Sequence, residues 1–183
     1  MKTSEKTKYR LAESLKELMA HTPVDKITVI DIVDHCEVSR QSFYRLFQDK
    51  YDLIHWYFER LADQSFKQMG VLYTLREGLC KKFEFIRKEA LFFSQAFASN
   101  DNNSLIHYDV QCIYEFYKNL IEQKRGKPLD QDLSFLLSMY CHGSVRMTVE
   151  WVMEGMKRPE KEIVDLLIEA MPELLKAELA DLL

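Results

Sequence analysis

The sequence predicts an all-α fold. Apolar residues recur at i, i+3 and i+4 over long stretches, the spacing that gathers them on one face of a helix. Only nine of the 183 residues are Gly or Pro, so helices meet few breakers. Alternation of period two, the mark of a half-buried strand, never runs beyond a few residues. A hydrophobic content of 47% supplies a core and excludes a disordered chain.

The elements follow in order. A first helix spans 4–21, with Leu11, Leu15, Leu18 and Met19 as its buried stripe. Thr22-Pro23 ends it, because the residue before a proline avoids helical geometry. Val24 to Ile27 is a connector. The Thr28 hydroxyl caps a second helix, and Asp31 three positions on suits the positive helix start. Cys36-Glu37-Val38 is a turn, and Ser39 caps a third helix. Asp49 caps a fourth, Lys50 to Met69, with Leu53, Ile54, Tyr57, Phe58 and Leu61 inward. Beyond Gly70, helices are expected over 74–88, 90–98, 104–124, 130–156 and 160–180. The breaks fall at 99–104, 124–128 and 157–159, and Pro172 kinks or restarts the last helix. Two segments result: a head, 1–58, and a helical body, 59–183.

Composition removes several classes of function. There is no long uncharged apolar run, so no membrane-spanning helix is expected. The basic, polar N-terminus lacks the apolar stretch of a signal peptide. Four widely spaced cysteines fit reduced thiols in a cytoplasm. Net charge is −4, yet residues 1–50 carry nine basic and eight acidic side chains. That mild asymmetry fits a short basic face on an acidic body. A Gly-rich phosphate loop, a nucleophile motif and zinc-ligand spacing are all missing, so no enzyme, cofactor or metal is expected. Cys141 and His142 are adjacent, and adjacent helical residues point apart.

The stretch Thr28–Phe47, TVIDIVDHCEVSRQSFYRLF, carries the functional signal. It reads as two short helices around a tight turn. Phe43, Leu46 and Phe47 form an apolar face that locks the third helix onto the first two. Arg40, Gln41 and Arg45 point the other way. Arg donates a bidentate pair to guanine and Gln does so to adenine in the major groove. Thr28, Ser42, Tyr44 and Lys50 suit phosphate contacts, which set register. Lys2, Lys6, Lys8 and Arg10 form a basic arm.

Residues 8–58 resemble the N-terminal domain of TetR-family transcriptional regulators. The resemblance runs through IT-x-x-DIV (Ile27–Val33), VSRQSFYRLF (38–47) and K-x-x-L (Lys50–Leu53). It implies base-facing Arg40, Gln41 and Arg45, and phosphate-facing Tyr44 and Lys50. It also implies a double-stranded DNA target with an inverted-repeat operator, a homodimer, and a small-molecule or protein effector in the body. Repression is the family's usual output. Three positions depart from the pattern: Glu37 replaces a turn glycine, Leu46 replaces a polar backbone contact, and Ile30 replaces a residue that is sometimes arginine. These departures, with the near-neutral head, support an alternative: a protein-interaction module, or a coactivator-dependent activator with weak DNA binding of its own.

The body supplies two candidate sets. Met139, Val145, Val149, Val152, Ile163, Leu166, Leu167, Ala170 and Leu174 lie on the last long helices, where the resemblance implies the dimer contacts. Phe83, Phe92, Phe93, Tyr108, Phe116 and Tyr140 represent a strongly aromatic middle that is either an apolar ligand pocket or core packing. The segment EFIRKEALFFSQAF resembles a subgroup of the same family, the regulators of dihydroxyacetone kinase operons. Arg146 and Glu150, four apart on one helix, suit an ion pair.

Overall fold

The computed structural model describes residues 3–182. Among them ten α-helices run in order: α1 (Thr3–Met19), α2 (Val29–His35), α3 (Arg40–Tyr44), α4 (Lys50–Asp63), α5 (Leu75–Lys88), α6 (Ala90–Phe97), α7 (Leu105–Arg125), α8 (Gln131–Met153), α9 (Glu160–Glu169) and α10 (Glu173–Glu178). Short 3-10 turns fill Val24–Lys26, Phe66–Gln68 and Ala180–Leu182. The fold is all-α, as the sequence predicts.

The chain divides into two compact units. The first takes the chain up to Arg60 together with Glu89–Leu105; the second takes Leu61–Lys88 and the chain from Ile106 onward. The α6 helix therefore belongs to the first unit, although it lies far along the chain from the head segment 1–58.

In the first unit, local chemistry sets each boundary. The α1 helix stops where the Thr22 amide makes its last bond to the Leu18 carbonyl (3.0 Å), just before Pro23. Thr28 and Asp31 form a reciprocal cap on α2: the Thr28 hydroxyl accepts from the Asp31 amide, and the Asp31 carboxylate accepts from the Thr28 amide (2.8 Å). Those bonds hold the Asp31 carboxyl below its ordinary value, the Thr28 hydroxyl being the largest cause. A lowered folded-state pKa means the cap is intact at neutral pH and is lost as pH falls through that value. Ser39 caps α3 by accepting from the Ser42 amide (3.1 Å).

Between α2 and α3, the Val38 amide reaches the Val33 carbonyl (3.0 Å) and the Glu37 amide reaches that of Asp34. This is the paired-bond helix ending that places one residue in the left-handed region. Glu37 occupies it with φ 52°. A side chain there costs about 1 kcal/mol relative to glycine. The α3 helix is shorter than the sequence pattern implies. After Tyr44 the Leu46 and Phe47 amides both converge on the Phe43 carbonyl, and Asp49 then caps α4 by accepting from Tyr51 and Asp52.

The core of this unit joins Leu11, Leu15, Ile32, Phe43, Phe47, Leu53 and Ile54, all buried. Leu18 is only half-buried. Arg10 donates to the Cys36 carbonyl (2.6 Å) and Ser14 to that of Ile32 (2.7 Å), fixing α1 on α2. Phe92 and Phe93 of α6 meet Tyr57 and Phe58 of α4 edge-on. Such pairs add about 0.5–1.5 kcal/mol beyond burial.

In the second unit, helix ends again follow named groups. The regular helix stops at Asp63, well before Met69, because the Ser65 hydroxyl takes the Leu61 carbonyl and Gln68 takes that of Asp63. Gly78 lets Met69 approach: a Cβ there would lie 2.4 Å from the Met69 Cγ. The α8 helix ends at Met153, short of the expected 156. Gly155 (φ 82°) and Met156 (φ 55°) reverse the chain, with the Met156 amide on the Trp151 carbonyl (2.8 Å). Arg87 stacks on Trp151 and binds the Glu160 carboxylate and the Met156 carbonyl. Pro172 restarts the helix as α10.

Candidate nucleic-acid interface

The α3 helix presents two faces. Phe43 is fully buried and Phe47 nearly so, while Arg40, Gln41, Tyr44 and Arg45 are exposed. Positions 40, 41, 44 and 45 share one side of a helix, since residues four apart stack. Tyr44 is 53% exposed, braced edge-on by Phe43 (5.5 Å between ring centroids). Ser42 is half-buried. Its hydroxyl accepts from Ser39 (2.9 Å) and lies 3.4 Å from Arg45 Nη2. The side of α3 away from the core thus carries two guanidinium groups, an amide and a phenol, with little else competing.

Other expected contacts have a different task. Lys50 is the clearest. Its ammonium donates to the carbonyls of Val24 (2.7 Å), Asp25 (3.0 Å) and Ile27 (2.8 Å). An ammonium has three donors, and all three are used. Lys50 therefore holds the connector onto α4 and has no N–H left for phosphate. Burial pulls its pKa below the ordinary lysine value, against the attraction of Asp25. The Thr28 hydroxyl is likewise committed, donating to the Asp31 carboxylate (2.7 Å) as well as capping. In the basic arm, Lys8 sits over the Phe47 and Trp56 rings and Arg10 binds Cys36; Lys2 lies outside the described residues. Ile30 is 45% exposed on α2, beside exposed Asp31 and Asp34, and Leu46 is half-buried.

The body candidates separate too. Val145, Val149, Val152 and Leu167 are buried inside the second unit, Leu167 at the lining of a surface groove. Their apolar periodicity was that of a core stripe. Met139 and Leu174 are exposed, each at 58%, and Ile163 lines a surface groove of about 570 Å³ with Met147, Leu166 and Ala170. The exposed ridge of α8 is Phe135, Met139, Gly143 and Met147, four residues apart. The Arg146–Glu150 pair is present at 2.8 Å.

Among the aromatic candidates, Phe92 and Phe93 are core of the first unit. Phe83 and Tyr140 come together in the second, around a cavity of about 20 Å³. That volume suits one water, far below the few hundred Å³ of a ligand site. Phe116 packs on Phe66, and Tyr108 is half-buried on α7. Among the described residues no helix is long and apolar enough to cross a membrane. No group of three or more His, Cys, Asp or Glu is placed there to hold a metal ion.

Residues 12–57 match the family of bacterial regulatory proteins, tetR family, and residues 73–173 match the transcriptional regulator C-terminal region, which covers more than half of the chain. The chain belongs to the TetR family of transcriptional regulators. It is 24% identical over 173 residues to the HTH-type dhaKLM operon transcriptional activator DhaS of Lactococcus lactis, covering 92% of each protein. A solved structure, the dihydroxyacetone kinase operon activator DhaS, shares the fold with TM-score 0.63 and 20% identity, over 96% of this chain and 97% of that one.

This TetR-family chain also holds polar groups, buried between its helices, that no motif marks. Lys82 and Asp109 form a buried ion pair, with Nζ 3.0 and 3.2 Å from the two carboxylate oxygens. A signal existed: Lys82 interrupts the apolar stripe Leu75, Leu79, Phe83, Ile86, and Asp109 sits on the row Leu105, Ile113, Tyr117. Asp25 and Ser99, which bond across 74 residues, gave none.

Proposed function

We propose that this regulator binds an inverted-repeat operator as a homodimer and activates transcription of an operon. The observation that carries the DNA reading is the bare face of α3: Arg40, Gln41, Tyr44 and Arg45 exposed together behind a fully buried Phe43. Arg40, Gln41 and Arg45 read base edges. Ser42 and Tyr44 meet phosphates and set register. Activation takes its sign from the L. lactis relative, in place of the repression that is the family's usual output. A protein working on DNA in a bacterium works in the cytoplasm. An effector, small molecule or partner protein, acts through the second unit by binding one of two states more tightly.

The partner in the dimer is a second copy meeting the α8 ridge. Gly143 sits at its middle with open space beyond its Cα, so two helices can approach closely there. In an antiparallel two-fold pairing about Gly143, Met139 meets Met147 of the other copy. The pairing is isologous, the same apolar ridge being offered by both copies.

The test compares specific and random duplexes. Arg40→Ala and Arg45→Ala should each cost about 1–3 kcal/mol on the preferred operator and much less on random DNA. Tyr44→Phe should weaken both equally. Equal losses for all three variants on both duplexes would remove the base-reading roles. The second reading, a protein-interaction module, draws on the exposed Ile30 and the acidic α2 surface. It predicts no duplex binding at low salt, whereas a DNA binder loses affinity steeply as salt rises.

A further inference from the structure

The connector between α1 and α2 is held from two sides. On one side Lys50 takes its three carbonyls. On the other, the Asp25 carboxylate accepts from the Ser99 hydroxyl, from the Asn100 amide (3.3 Å) and from the Tyr51 hydroxyl (3.2 Å). Tyr51 and Ser99 are both buried, and their hydroxyls lie 3.3 Å apart. Ser99 and Asn100 begin the loop that follows α6. The same loop is pinned again at its far end, where the His55 ring donates to the Asn103 carbonyl (2.9 Å). Its middle is internally braced, with the Asn103 amide on the Asp101 carboxylate (2.8 Å).

We infer that Asp25 is a positioning residue through which the loop 98–104 sets the orientation of the helix-turn-helix. This rests on the proposed DNA-binding role of α3. The chain of cause is short. The carbonyls that Lys50 grips and the carboxylate that Ser99 grips belong to the same few residues, 24–27. Thr28, the cap of α2, follows directly, and the α2 ending fixes α3. A shift of the loop therefore cannot leave the connector in place without breaking charge-assisted hydrogen bonds, which are about twice as strong as neutral ones. Ser99 approaches from far along the chain, so the clasp exists only in the folded head and makes it answer to the loop.

The test is hydrogen exchange on the full chain, with no effector needed. Ser99→Ala and Asp25→Asn should each speed amide exchange in α2 and α3 by about tenfold, the factor for one hydrogen bond of roughly 1–1.5 kcal/mol, while α8 stays unchanged. Ser99→Thr keeps the hydroxyl and should exchange like the unaltered protein. Affinity for duplex DNA should fall in parallel with the exchange. Faster exchange confined to residues 98–104, with α2 and α3 unaltered, would overturn the inference. Failure of the unaltered protein to bind duplex DNA at low salt would overturn the DNA reading instead, and the exchange comparison would still decide whether the loop governs α2 and α3.

Discussion

Phe135→Asp combined with Met139→Asp is expected to give a folded monomer whose affinity for an inverted-repeat operator is lower by about 10²–10⁴-fold, the usual gain from joining two binding modules. Phe135 is 67% exposed and Met139 nearly as much, so neither change empties the core. Each instead puts a charge where the second copy's ridge would have to desolvate it. One head alone keeps its own contacts to one half-site but loses the second, about one DNA turn or ~34 Å away. Sedimentation and operator binding measured on the same sample check both parts. A double variant that stays dimeric would move the interface off the α8 ridge. A monomer with unchanged operator affinity would remove the need for two heads.

Asp109→Ala should be the most damaging single change to stability. Asp109 is fully buried and carries two oxygens on the Lys82 ammonium, which is itself almost wholly buried. Removing one partner leaves an uncompensated charge in the core, at a cost of about 3–5 kcal/mol. For a chain of this size that corresponds to a fall in Tm of roughly 6–20 °C. The pair Lys82→Met with Asp109→Leu should recover most of the loss, because replacing both charges by apolar groups of similar volume is close to neutral. Calorimetry of the three proteins checks this. If the double variant melts as low as Asp109→Ala, the ion pair contributes more than the relief of its own burial.

The contrast between legible and illegible features follows from distance along the chain. Thr28, Asp31, Ser39 and Asp49 announced the helix starts because a cap bonds within three residues of itself. The bare face of α3 was legible for the same reason: Phe43 and Phe47 fix one side, and Arg40, Gln41 and Arg45 must lie opposite. Lys50 was misread. Its place in the motif matches a phosphate contact, but its three acceptors lie 23 to 26 residues back, and no local pattern reveals them. On α8 periodicity alone could not separate a face turned to the protomer core from one turned to a partner. Val145 and Val149 proved to be core, and Met139 proved to be surface. The division of the aromatic residues, with Phe92 and Phe93 in one unit and Phe83 in the other, depends on where α6 packs. The stripe on α6 says only that it packs somewhere.

The most direct measurement is selection of bound duplexes from a random pool by the unaltered protein. One inverted repeat should be enriched, with half-sites spaced for two copies of α3 and with guanine preferred where Arg40 or Arg45 reaches the groove. A pool that returns unenriched, or a single half-site without symmetry, would contradict operator reading by a dimer.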